Sequence, residues 1–161
     1  MSEAEKPAER VYTIQRIYTK DVSFETPNSP DIFLTEWKPD IQLNVTTKAN
    51  NMKEGENAYE IILSLTVTVK SNDQVAYLIE VHQAGVFIID GFSEQEMGPI
   101  IGIASPSNLF PYAREVVSDL VSKGSFPQMV LQPINFEQMF QQHMSELAKQ
   151  QGVEISEPKT H

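Results

Sequence analysis

The sequence contains no cysteine. That excludes a disulfide framework, a thiolate zinc site and a cysteine nucleophile, and it is compatible with a reducing compartment. Positive charge is scarce: 12 Lys plus Arg stand against 22 Asp plus Glu, a formal net charge of −10 over 161 residues. The bases are scattered singly among acids, whereas a phosphate-tracking protein needs a concentrated basic face, so nucleic acid is not an expected partner. Long apolar runs are missing too. The longest nearly apolar stretch, Ala84 to Ile89, falls far short of the ~20 residues a bilayer span requires, and direct membrane insertion is not expected. The start, Met1-Ser2-Glu3-Ala4-Glu5-Lys6-Pro7, is acidic and polar where a secretory signal needs a basic segment followed by an apolar one. A soluble, cytoplasmic protein is the expectation, and the glycosylation-like triplet Asn44-Val45-Thr46 is then idle.

Catalytic signatures are equally absent. Neither GxGxxG nor a P-loop occurs, and the glycines at 85, 91, 98 and 102 have the wrong spacing for cradling phosphate. His82, His143 and His161 fall on a strand, a helix and a tail, with no i, i+4 partner among them, so neither a metal nor a cofactor is expected. No serine sits in GxSxG. No catalytic constellation emerges from these residues.

What is present is a change of period. Tyr59, Ile61, Leu63, Leu65, Val67 and Val69 alternate with Glu60, Ile62, Ser64, Thr66, Thr68 and Lys70, which predicts a strand. Ile41, Leu43 and Val45 alternate likewise, and the segment from Asn50 to Asn57 supplies a long hairpin loop. After the turn Ser71-Asn72-Asp73, a strand over 75–83 continues through Val86–Ile89, and Gly85 inside it implies a bulge or a close backbone approach. Tyr12 to Tyr18 is a further strand, ended by Thr26-Pro27-Asn28-Ser29-Pro30. Beyond residue 92 the pattern turns helical. Ser93 and Glu96 have capping-box spacing. Asn108 is read as the cap of a second helix, with Pro111 in its first turn and Leu109, Tyr112, Ala113, Val116, Val117, Leu120 and Val121 as its stripe; Lys123 and Gly124 close it. Asn135 caps a third, with Phe136, Met139, Phe140, His143, Met144 and Leu147 on one face and Gly152 at its end. Strands first and helices last mark an α+β fold with a four-stranded antiparallel sheet. Residues 1–10 read as a disordered arm, 11–151 as one domain and 152–161 as a mobile tail.

This pattern has more amphipathic faces than one small layer buries. Large apolar groups also sit beside chain breakers: Phe33 and Trp37 before Pro39, Phe110-Pro111-Tyr112, and Phe126-Pro127. Either copies associate or apolar surface stays open for a ligand. Met139 and Met144 suit adaptable contacts, because the unbranched thioether repacks against many shapes.

The run from Ile14 to Asn28 (IQRIYTKDVSFETPN), then Glu36-Trp37-Lys38-Pro39, Asn108 to Glu115 (NLFPYARE), Gly124-Ser125-Phe126-Pro127 and Leu131 to Phe136 (LQPINF) resembles SecB, the bacterial protein-export chaperone family. The resemblance covers roughly residues 11–147. It implies sheets continued across dimers, and a dimer-of-dimers homotetramer with its helices sandwiched between sheets. It also implies an ATP-independent holdase for unfolded precursor proteins that delivers them to the motor SecA. By the same resemblance, Trp37, Leu43, Phe126, Phe136 and Phe140 contribute to the client groove. Asp21, Glu25, Leu78 and Glu80 form the SecA-binding patch, and Ile79, Val81 and Gln83 are associated with assembly. Where the family carries a double glycine, this chain has Ala84-Gly85. Two alternatives compete: a SecB-like chaperone dedicated to one partner such as an antitoxin, and a hot-dog-type thioester enzyme, which would wrap its sheet round an early helix.

Overall fold

A computed structural model describes residues 9–53 and 56–151. Four strands, β1 (Val11–Glu25), β2 (Pro39–Asn51), β3 (Ala58–Ser71) and β4 (Gln74–Asp90), precede three α-helices, α1 (Glu94–Pro99), α2 (Ser105–Lys123) and α3 (Phe136–Gln150). The sheet is antiparallel throughout, in the order β1-β4-β3-β2. Hairpins join β2, β3 and β4, and β1 lies beside β4, so the crossover from β1 to β2 must span the sheet; this is a Greek-key order. A 3₁₀ turn, Asp31–Leu34, interrupts the crossover and buries Ile32.

Period two decides which strand residues enter the core. Ile61, Leu63, Leu65, Val67 and Val69 are fully buried on one face of β3, and Tyr77, Ile79, Val81, Phe87 and Ile89 continue that face on β4. Leu109, Phe110, Ala113, Val117 and Val121 of α2 join them in one cluster. Each such side chain contributes about 1.5–3 kcal/mol by leaving water, so the β3–β4–α2 stack is the stable centre. The expected turn between β3 and β4 holds Asn72 at φ 52° and Asp73 at φ 64°, the left-handed pair that suits two-residue hairpins. Asn72 Nδ2 donates to the Glu36 carbonyl at 2.8 Å, and Ser71 Oγ accepts from the Lys38 amide at 3.0 Å. These bonds tie the crossover to the hairpin.

Gly85 is a close approach, not a bulge. A Cβ there would lie 2.8 Å from the Phe87 ring and 3.0 Å from the Arg16 carbonyl oxygen, while the β1–β4 register shifts fall between Ile14 and Arg16 and between Thr19 and Asp21. Ala84 is fully buried opposite Tyr18, so the fold accommodates its methyl group.

The helices require corrections. Ser93 does form a capping box with Glu96, but Asn108 caps nothing. Helical backbone runs without a break from α1 through a π-helical segment, Ile100–Ala104, into α2. Asn108 lies inside α2 with its Nδ2 donating to the Tyr12 hydroxyl at 3.2 Å, and Pro111 is an interior residue. Pro106 lies within this continuous helical run directly after the π segment, and having no amide it leaves one i to i−4 bond unmade at the wide turn. Ser105 Oγ donates to the Ile100 carbonyl at 2.8 Å, and the Ser105 amide donates to the same carbonyl, so the wide turn is held rather than frayed. At the other end Gly124 is the C-cap at φ −81°, but the left-handed residue is Ser125 at φ 63°. The amides of Ser125 and Phe126 donate to the carbonyls of Ser122 and Val121 at 3.0 and 3.2 Å, which is a Schellman motif with serine in glycine's usual place. Asn135 caps α3 as expected, accepting from the Gln138 amide at 2.9 Å.

Most of the expected N-terminal arm, residues 1–8, lies outside the described residues, as do Gly152 and the tail. Arg10, assigned to the arm, is placed: its guanidinium meets Glu96 at 3.0 Å and stacks over Phe92. No helix among the described residues is long and apolar enough to cross a membrane.

Candidate functional site

Two apolar clusters and one polar face gather the residues singled out above. The first cluster forms where the crossover meets the segment after α2. The Schellman motif fixes Phe126, which is buried with its ring 4.9 Å from Tyr77, 5.2 Å from Phe33 and 5.7 Å from Trp37. Burial pushes the Tyr77 hydroxyl up to a pKa of about 12, as expected for a ring set in apolar surroundings. Its outer rim is open: Leu34 is 90% exposed and Val130 66%.

The second cluster is a groove of about 550 Å³ between the edge strand β2, the α1–π segment and α3. Val45, Ile101, Phe136, Met139 and Phe140 supply most of its apolar wall, and His143 stands on its lining. Phe136 is the only buried residue of α3. Phe140 lies over Gly98 and Gly102, and a Cβ on Gly102 would stand 2.5 Å from its ring. The two glycines, one helical turn apart, are thus a slot for that ring. The sequence reading tested these glycines only as phosphate binders; their i, i+4 spacing beside an aromatic helix face was the available signal. Leu34 carried no signal at all.

Leu43 connects the clusters. It shares the helix-covered face of β2 with Ile41 and Val45, and Trp37 lies just before the strand. At ~3.3 Å per residue, Trp37 to Val45 spans roughly 26 Å of apolar track along an unpaired strand edge. The five expected client-binding residues therefore lie along one route, with Phe126 and Phe136 as buried supports and Trp37, Leu43 and Phe140 partly accessible.

The opposite sheet face is polar. Glu25 pairs with Leu78, Ser23 with Glu80, and Asp21 with His82. Asp21, Glu25, Leu78 and Glu80 consequently share one face, away from the helices. Farther along it, Lys20 Nζ sits 2.8 Å from Glu60, and the Tyr18 hydroxyl donates to the same carboxylate. The lysine bond first, then the tyrosine bond, hold the Glu60 carboxyl below the usual carboxylate range. Burial, with Glu60 as a negative neighbour, pushes Tyr18 up to about 12.

Ile79, Val81 and Gln83 do not lie on that face. They alternate with Leu78, Glu80 and His82 and point into the protomer's own core, where Gln83 is only 2% exposed. Gln83 Oε1 accepts from the Thr19 hydroxyl at 3.0 Å. These side chains offer no surface to a second copy, so an effect on assembly would have to pass through the packing beneath. Among the described residues no cluster of three or more His, Cys, Asp or Glu side chains could hold a metal ion.

The chain matches the family model for preprotein translocase subunit SecB over residues 5–147. The chain belongs to the SecB family. It is 52% identical over 152 residues to the protein-export protein SecB of Methylococcus capsulatus, covering 94% of this chain and 96% of that one. It is 46% identical over 160 residues to the protein-export protein SecB of Hahella chejuensis, covering 99% of each. A solved Mycobacterium tuberculosis SecB-like chaperone, in complex with a ChAD peptide from an antitoxin, has a TM-score of 0.65 at 17% identity, over 76% of this chain and 90% of that one. That likeness establishes the SecB fold, and among the described residues every α-helix follows β4, unlike the early helix that the hot-dog alternative needs.

Proposed function

We propose that this SecB-family chain is an ATP-independent chaperone that holds unfolded precursor proteins in the cytoplasm and passes them to SecA for export. The observation that carries the reading is the open apolar track from Trp37 to the Phe140 groove. An unfolded client exposes apolar side chains and unpaired backbone, and the track presents aromatic walls beside a free strand edge. Each well-buried client side chain contributes ~1.5–3 kcal/mol, so several shallow pockets in series hold a chain without reading its sequence. A holdase acts by mass action, lowering the concentration of free unfolded chain, and needs no catalytic group.

Assembly into a homotetramer, a dimer of dimers, belongs to the same proposal. Tyr112 on α2 and Met144 on α3 are each 50% exposed, leaving apolar surface on the helix layer for a second pair of protomers. SecA docks by this reading on the acidic sheet face of Asp21, Glu25, Leu78 and Glu80, where negative charge steers a basic surface. The alternative of a chaperone dedicated to one antitoxin-like partner draws on fold likeness alone. Size-exclusion chromatography with light scattering tests the proposal: a chemically unfolded precursor, diluted into the protein without ATP, should elute with a mass of four copies plus client. Elution of the client apart from the protein would refute it.

A further inference from the structure

On the outer sheet face three side chains form a chain that neither the groove nor the core uses. Ser64 Oγ lies 2.6 Å from His82 Nδ1, and His82 Nε2 lies 2.9 Å from Glu80 Oε1. Ser64 and His82 are direct ladder partners, and Glu80 precedes His82 by two on the same face. Hydroxyl, imidazole and carboxylate in that order are a hydrolase's components, but this site cannot serve as one. Ser64 is paired on both sides, with Thr46 and with His82, so the ladders engage the backbone amides that would have to stabilise an oxyanion. What remains is an electrostatic role.

We propose that His82 is a positioning residue for Glu80 and sets the charge of the acidic docking face, so that SecA binding weakens as the imidazole takes up a proton. This rests on the reading that SecA docks there. A carboxylate only accepts hydrogen bonds, so the Nε2 proton belongs to the bond with Glu80, and Nδ1 of the neutral ring accepts from the Ser64 hydroxyl. On protonation Nδ1 becomes a donor and the serine hydroxyl turns to accept. Both contacts survive; the face keeps its shape and loses one unit of negative charge. Histidine is the side chain whose ordinary titration falls between pH 5 and 8. From β1 the ring faces its ladder partner Asp21, with Tyr18, Lys20 and Glu25 along the same strand; β3 contributes Glu60 and β2 contributes Lys48. Lys20 is taken up by Glu60 at 2.8 Å and Lys48 stands two strands away on β2, which leaves Asp21 and Glu80 as the charges nearest the ring. Glu80 remains 51% exposed at its side chain, accessible to a basic partner while tethered.

The test measures SecA binding to the full chain by surface plasmon resonance at pH 7.8 and 5.8 at fixed ionic strength, with unfolded-precursor binding followed in parallel. SecA titrates too, so the comparison is between the natural chain and His82→Gln, which keeps a donor for Glu80 but takes no proton. The natural chain should lose about 2- to 5-fold more affinity than His82→Gln across that range, the effect of one exposed charge pair. At pH 7.8 His82→Lys should bind about 2- to 5-fold more weakly than the natural chain at the same pH. Equal pH dependence in the natural chain and His82→Gln overturns the proposal, as does loss of precursor binding in His82→Gln, which would make the ring structural. Absence of SecA binding by the natural chain at pH 7.8 would instead defeat the docking reading beneath it.

Discussion

Replacing Gly102 with alanine separates the groove from the core. The added methyl group would stand 2.5 Å from the Phe140 ring, a distance no Cβ sustains, so the ring must leave its slot. Phe140 is partly buried there, and forfeiting about half of an aromatic side chain's burial costs the docking of α3 about 1–1.5 kcal/mol. The same substitution removes a helical glycine, which recovers up to ~1 kcal/mol for the folded chain as a whole. The two effects nearly cancel globally and do not cancel locally. Chemical denaturation should therefore find overall stability within about 1 kcal/mol of the natural chain. Hydrogen exchange should show α3 amides opening roughly 5- to 12-fold more readily, at 1.4 kcal/mol per factor of ten, while β3 and β4 keep their protection. Unchanged α3 protection, or a loss spread evenly over sheet and helices, would refute the slot argument.

Other outcomes follow from individual sites. Ser125→Gly should stabilise the protein by up to ~1 kcal/mol in urea denaturation, because glycine occupies φ 63° without the ~1–2 kcal/mol left-handed penalty, offset in part by its greater unfolded-state entropy; destabilisation would contradict the Schellman assignment. Asp21→Lys or Glu80→Lys should weaken SecA binding about tenfold at low salt and spare precursor holding, whereas joint loss would show the acidic face to be structural. Glu60→Gln should cost about 1 kcal/mol at pH 7 in thermal or urea denaturation. The Glu60 carboxyl lies below its ordinary range when folded, so its contribution is present above ~4.3, the unfolded value, and fades as pH falls through the lower folded value. A difference between the two proteins that grows as pH falls below the ordinary carboxylate range would contradict that sign.

Local patterns were the legible part of the fold. The alternation from Tyr59 to Val69 identified β3 and its buried face because period two is a property of the strand itself. The Ser93 box and Asn135 cap were readable because their partners lie three residues away. Strand order was not readable: β1 pairs with β4 across more than fifty intervening residues, and nothing local to either strand announces it. Asn108 misled for a related reason. Its spacing to Pro111 fits a cap, but its partner is Tyr12, 96 residues away. The candidate site divided along the same line. Phe136 and Phe140 stood out as an aromatic stripe and the acidic residues were marked only by the resemblance to the family, whereas the slot at Gly98 and Gly102, the tie between Ser64 and His82, and the burial of Ile79, Val81 and Gln83 exist only once the sheet and helices are assembled.

The account depends most on the apolar track holding non-native chain, and one measurement addresses that directly. A slow-folding precursor is diluted from denaturant in the presence of micromolar purified protein, without ATP, and its refolding is followed by intrinsic fluorescence. Refolding should slow in proportion to the protein added, and Trp37→Ala combined with Phe140→Ala should relieve the delay while circular dichroism shows the sheet intact. Refolding at the same rate with and without the natural protein would contradict the account.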